Sequence, residues 1–284
     1  MGLTSSLSQW PLIGGFFNNP VVPVIRFSGI ISDTQKRAAI SHEKYRTLID
    51  KAFNMPNLKA VGLLINCPGG SPAQTELISS HIRRKATEKN VPVYAFIEDV
   101  AASGGYWLAC TADEIYSANS AIVGSIGVIT SGFGFDKFIK KNDVDRRIYT
   151  EGKEKSMLDP FLPEKDADVK RLKAIQKDLH KLFIDWVKSR REDKLKGTKA
   201  SLFEGQIWTA ETAIDKGIID YIGECDSILE KKFGDKVVRI DLQMNKRLFS
   251  LPFGILRTST QDNNLPEQAL ELLEEKSLWA KYGF

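Results

Sequence analysis

Histidine and cysteine are scarce in this chain, with three of each in 284 residues. Cys67, Cys110 and Cys225 make no paired framework, which excludes a disulfide-stapled fold and points to a reducing compartment. No cluster of residues has metal-ligand spacing, so no metal is expected. Gly132-Phe133-Gly134 lacks the third glycine of a dinucleotide loop and reads as a turn, so no cofactor is expected either. Long apolar runs are missing too: the longest stretch within residues 1–17 is far below the roughly 20 residues that span a bilayer. That segment also lacks the charged start of a secretory signal. The expectation is a cytoplasmic protein whose residues 10–17 could touch a membrane surface or a neighbour. Met1-Gly2 with Ser6 fits a myristoylation pattern, which is short and common. Charge of one sign is also lacking. Forty basic against 36 acidic residues leave +4, too little to argue for nucleic acid as a partner.

What is present is a globular composition, 42% hydrophobic, long enough for one large domain with an appendage. Residues 1–19 read as an N-terminal extension, 20–235 as the main domain, and 236–284 as a last strand, an apolar segment and an amphipathic helix over 266–282. Strands over 20–27, 61–65 and 91–97, with strand and turn segments over 121–130, alternate with helices over 41–53 and 74–89, which calls for an α/β fold with a mostly parallel sheet. A short helix over 135–141, a strand over 146–149 and a long helix over 166–192 follow. In the long helix Leu172, Ile175, Leu179, Leu182, Phe183, Trp186 and Val187 share one face, opposite a charged one.

Two glycine-bearing turns carry the chemistry. Asp99-Val-Ala-Ala-Ser103-Gly104-Gly105-Tyr106 sets a serine between an apolar strand and an apolar helix. Free helix N–H groups there favour an oxyanion, and the glycines admit a substrate carbonyl. An ordinary N-cap serine would look the same. Asn66-Cys67-Pro68-Gly69-Gly70-Ser71 follows the preceding strand and exposes consecutive backbone N–H groups, equipment for an oxyanion hole or simply for chain reversal. Turns at the ends of neighbouring strands form the usual crevice of an open α/β sheet. Cys67, held before Pro68 with no histidine nearby, reads as an inert buried thiol.

A serine nucleophile needs a base. His42, His81 and His180 are poorly placed for one and read as satisfied or solvated surface histidines, so a Ser-His-Asp triad has little support. The alternative is a lysine, which must be desolvated to accept a proton near neutral pH. Lys153 and Lys155 both lie in Glu151-Gly-Lys-Glu-Lys-Ser156-Met157-Leu158; Lys155, beside a small residue and an apolar pair, is the better placed. Spacing alone does not decide between them.

Four segments in order, Asn66-Cys-Pro-Gly-Gly-Ser71, Ala101-Ala-Ser-Gly-Gly-Tyr106, Gly124-Ser-Ile-Gly-Val-Ile129 and Gly152-Lys-Glu-Lys-Ser156, resemble the signal peptide peptidase SppA type of serine protease, peptidase family S49. Gly205-Gln-Ile-Trp-Thr-Ala210 with Gly217-Ile-Ile-Asp220 resembles the closing motif of the wider fold family. The resemblance implies a Clp-protease and crotonase-like repeated β-β-α superhelix. It makes Ser103 the nucleophile, Lys155 the general base, Gly70 an oxyanion donor joined by Gly104, and Ser125 the serine that orients the lysine. It also implies a ring-like homo-oligomer in which one subunit's lysine serves the next subunit's serine. Only one catalytic repeat is present, where the long family form has two. The expected function is a Ser-Lys endopeptidase acting on extended peptides, signal-peptide remnants or other hydrophobic segments. The alternatives are a crotonase-type acyl-CoA enzyme and an inactive scaffold of the same fold.

Overall fold

A computed structural model describes residues 19–33, 39–191, 193–243, 276–277 and 279–283. The expectations for residues 1–17, the apolar run at 248–256 and most of the helix at 266–282 therefore lie outside the described residues.

The chain runs β1 (Val21–Ser28), α1 (His42–Phe53), β2 (Val61–Cys67), α2 (Pro72–Lys89), β3 (Val93–Ala102) and α3 (Gly104–Ala109). Next come β4 (Glu114–Ser117), β5 (Ile122–Gly124), α4 (Asp136–Lys141), α5 (Asp166–Arg191), α6 (Lys199–Leu202) and β6 (Ile207–Thr209). The series closes with α7 (Ala210–Asp215), β7 (Tyr221–Ile222), α8 (Cys225–Phe233) and β8 (Val238–Leu242). The strands form one sheet in the order β6-β5-β3-β2-β1-β8, with β4 also on β3 and carrying β7. Every pairing is parallel except β5 with β6. The expected mixed α/β architecture with a mostly parallel sheet is what the chain builds.

The central strands are mostly apolar because both faces are covered, with Glu98 and Asp99 of β3 the polar step before the Ser103 turn. On β3, Val93, Ala95 and Ile97 join the core beneath α1, α2 and α3. The alternate residues Tyr94 and Phe96 join a second core beneath Cys225 and Leu229 of α8. β8 pairs with β1 in this same sheet, Val21 opposite Val238, so a strand read as part of the C-terminal unit completes the main domain. In α2, Ser71 accepts from the Gln74 N–H and Pro72 fills the first turn, while Asn90 ends the helix in the left-handed conformation.

Several readings need correcting. Residues 146–149 form no strand: all but half-buried Ile148 are exposed, and Arg146 pairs with Asp159 at 2.9 Å instead of joining a ladder. Leu77 of α2 is exposed while Ile78 and Ile82 are buried. His81, read as satisfied or solvated, is the satisfied kind: it is buried with Nε2 3.0 Å from Asp50 Oδ1. Only the C-terminal half of α5 docks, through Phe183, Ile184 and Val187; Ile175 and Leu182 on the same helix stay exposed.

Buried polar groups fasten the second half of the chain to the sheet. Arg191 grips Asp220 through two hydrogen bonds of 3.0 and 3.2 Å and donates to the Gly217 carbonyl at 2.9 Å. Asp220 also accepts from the Ile115 N–H at 2.8 Å, and Tyr106 donates to the Ile218 carbonyl at 2.7 Å. Burial pushes the Asp220 carboxyl up, but the bonds and charge of Arg191, helped by Lys194, hold it below the usual range. The Gly217-Ile-Ile-Asp220 motif is thus an anchor between α5, α3 and β4.

Candidate active site

Ser103 stands where β3 becomes α3, with φ 53° and ψ −123°. A non-glycine residue held there stores about 1–3 kcal/mol of strain, a cost that clusters at functional turns. Strained strand-to-helix turns that expose a serine hydroxyl are the known geometry of a nucleophile elbow. Ser103 occupies the N-cap position of α3, yet its side chain caps nothing. Its backbone is tied instead: the N–H donates to the Gly124 carbonyl at 2.8 Å, and its carbonyl accepts from Trp107 at 3.0 Å.

That first bond sets a second serine beside the first. Ala102 pairs with Gly124, so Ser103 and Ser125 follow neighbouring strand ends. Ser125 also has a positive φ of 53°, is buried, and donates its N–H to the Gln206 carbonyl at 2.6 Å. The antiparallel partner β6 supplies that hold, which gives the Gly205–Trp208 stretch a local structural role.

The Asn66–Ser71 turn closes over the same spot. Gly70 bridges to Ile31, and a β-carbon on Gly70 would come within 2.0 Å of the Ile31 carbonyl oxygen. Only glycine at its φ of 138° allows that approach. A β-carbon on Gly104 would lie 3.5 Å from the Gly70 nitrogen, so the backbone N–H groups of these two residues are neighbours. Gly105 lets α3 press on the β2 end, since a β-carbon there would sit 2.2 Å from the Cys67 carbonyl oxygen. Behind α3, Trp107 stacks on Phe183 and Trp186 of α5 at 5.1 and 6.0 Å between centroids.

These groups share a cavity of about 430 Å³ whose wall includes Gly70, Ser103, Ser125, Glu204, Lys281 and Tyr282. No histidine is among its lining residues. Burial pushes the Cys67 thiol up to about 12, so it stays protonated beneath the turn. Burial also raises the Tyr282 hydroxyl, partly offset by its hydrogen bond with Ser125. Lys281 and Tyr282 were not legible as site residues, because nothing in a tail about 180 positions from Ser103 marks where it returns.

Lys155 lies elsewhere. It is exposed, as is Lys153, and it is not among the residues lining the Ser103 cavity. The structure therefore brings Ser103, Ser125, Gly70 and Gly104 together and leaves Lys155 on an excursion over residues 126–165. Local bonds brace that excursion: Glu154 and Asp168 both hold Arg171, at 2.5 and 3.0 Å, and Phe135 stacks on Phe161. Its outer side chains are bare, with Tyr149 91% and Ile129 78% exposed. The desolvated setting expected for Lys155 does not exist within one chain.

The chain is similar to known proteins over most of its length. The family model described as "Peptidase family S49" covers residues 85–239, more than half the chain, including Ser103, Ser125 and Lys155. The chain is 33% identical over 213 residues to "Probable protease SohB" of Buchnera aphidicola subsp. Schlechtendalia chinensis, covering 75% of this chain and 67% of that one. It is 26% identical over 245 residues to "Putative signal peptide peptidase SppA" of Enterococcus faecium, covering 83% and 70%. It is 42% identical over 271 residues to a Brucella abortus protein named "Na(+)/H(+) antiporter NhaA". That alignment takes in 92% of this chain but 37% of the relative, so the chain spans little more than a third of that protein. The family match, with a 33% identical relative spanned over two thirds of its length, shows the family: the chain belongs to peptidase family S49.

Proposed function

We propose that the chain is a serine endopeptidase acting on extended peptides, with Ser103 as nucleophile and the Lys155 of a second copy as general base. The observation that carries this reading is the strained Ser103 backbone, which leaves the hydroxyl uncommitted in a cavity beside the Gly70 and Gly104 N–H groups. A neutral lysine amine takes the Ser103 Oγ proton as the oxygen attacks the scissile carbonyl carbon. The carbonyl oxygen becomes an oxyanion, held by the two backbone N–H groups, which cost nothing to reorganise. Collapse breaks the C–N bond, the lysine returns its proton to the leaving amine, and an acyl-serine remains. Water, giving a proton to the lysine, then attacks the acyl carbon; the C–Oγ bond breaks, the lysine returns the proton to Oγ, and the acid leaves. Ser125, one strand away, orients the incoming amine.

Two features support supply of the lysine by a neighbour. Lys155 is exposed on its own chain, and the excursion that bears it carries Phe133, Phe138, Val144 and Tyr149 uncovered. Apolar surface of that kind marks a protein interface. The substrates best suited to the cavity are peptides with apolar side chains, including signal-peptide remnants.

The test is covalent labelling with a fluorophosphonate. One probe mass on Ser103, absent in Ser103→Ala, supports the serine nucleophile. No label on Ser103 in assembled protein sinks it and leaves the scaffold reading.

A further inference from the structure

The described end of the chain enters the site. Residues 276–277 and 279–280 are helical, 281–283 turn, and Tyr282 is 6% exposed against Val100 and Ala102 of β3, with Ile122 of β5 and Trp279 completing the patch. Val100 and Ala102 lie on one face of β3, immediately before Ser103, and Ile122 is the register partner of Val100. The Tyr282 ring thus covers sheet surface at the mouth of the Ser103 cavity. Tyr282 and Ser125 line the same cavity, and a hydrogen bond with Ser125 offsets part of the burial that raises the Tyr282 hydroxyl. Lys281 also lines the cavity, but it is exposed and its Nζ lies 5.7 Å from the Tyr282 ring centroid.

A base for Ser103 must come within hydrogen-bond reach of Oγ, about 3.2 Å or less. It must therefore enter the cavity that Tyr282 walls, beside the serine that Tyr282 occupies. We propose that Tyr282 holds, in the unassembled chain, the place that the lysine of a second copy takes. The inference rests on the serine-lysine reading above. Assembly and activation are then one event: the arriving excursion displaces the tyrosine, frees the Ser125 hydroxyl and delivers the amine. The isolated chain is shut, with its Ser125 hydroxyl bonded and an apolar patch covered.

Such a contact lowers apparent association by the fraction of chains in the open state. Removing it must tighten assembly. Tyr282→Ala should lower the concentration of half-maximal self-association, read by sedimentation, on the order of tenfold, the scale of one buried aromatic contact. Tyr282→Phe, which keeps the ring and loses the hydroxyl, should give a smaller shift. Fluorophosphonate labelling of Ser103 should move to lower protein concentration in parallel. Sedimentation repeated in a Ser103→Ala background reads the tail without the nucleophile. If labelling fails everywhere but Tyr282→Ala still tightens association, the nucleophile reading falls and the tail contact stands. Unchanged or weaker association in both tyrosine variants overturns the proposal. So does loss of labelling in Lys281→Ala with labelling kept in Lys155→Ala, because the tail would then deliver the base rather than block it.

Discussion

Ser103 and Lys155 live in opposite surroundings. Every residue from Gly104 to Ala112 is buried, and the two strand ends flanking Ser103 are locked by the bond from its own N–H to Gly124. Around Lys155, the five residues 151–155 are all exposed, and the excursion is braced mainly by contacts within itself and with α5. Strain of the kind stored at Ser103 survives only where the surroundings over-determine the backbone. The ends of the central strands and α5 provide that; a braced but uncovered excursion does not. A nucleophile can therefore be built by one chain, while a group presented on the excursion acquires its environment from whatever covers it.

The sharpest way to break this contrast is kinetic. Ser103→Ala and Lys155→Ala should each lower kcat/KM by roughly 10³-fold or more, with thermal stability of the single chain nearly unchanged. Mixing the two inactive proteins should restore part of the activity, measured on a peptide library after proof of subunit exchange. No recovery would place both members of the dyad in one chain.

Stability should divide the two regions next. Arg191→Met leaves the Asp220 carboxylate buried without its main partner and should cost about 3–5 kcal/mol in urea unfolding. The same pair predicts an acid response. A carboxyl whose folded pKa is depressed contributes fully above its unfolded value of about 3.9 and loses that contribution as pH falls through the lower folded value. Wild-type stability should therefore drop below about pH 4 more steeply than that of Arg191→Met; parallel curves would remove Asp220 from the account.

On the excursion, Phe138→Ser with Tyr149→Ser should change single-chain stability by no more than about 0.5 kcal/mol, because both are solvent-exposed. Sedimentation should show self-association lost, and peptide hydrolysis lost with it. Lys153→Ala should have the smallest effect, within about twofold in kcat/KM, since it bears no assigned role. A dead Lys153→Ala beside an active Lys155→Ala would exchange the two lysines.

How much of this was legible follows from what each segment packs against. The runs at 61–65 and 93–97 are apolar without alternation because helices cover both faces, and that signal survives in the sequence alone. The Ser103 turn and the Asn66–Ser71 turn were readable because close backbone approach restricts residue type to glycine at Gly70 and Gly105. The strand β6 is three residues long and antiparallel, too short for a periodic signal. The stripe on α5 has the same spacing whether its partner is the chain's own core or another molecule, so Ile175 and Leu182 could not be told from Phe183 and Val187. Charged Asp145, Arg146 and Arg147 serve local pairs rather than a ladder. The return of Tyr282 to the site depends on long-range geometry with no local signature.

The pairing of β1 with β8 has a consequence in time. Val21 and Val238 are partners across the sheet, so during synthesis at 5–20 residues per second the first strand waits about 10–45 s for its outer neighbour. Throughout that interval one side of β1 is an open edge of alternating N–H and C=O groups on a nascent chain, beside apolar Val22 and Val24. The ribosome-bound chain is consequently most exposed to wrong pairing after its two glycine turns have been made and before its last strand has emerged.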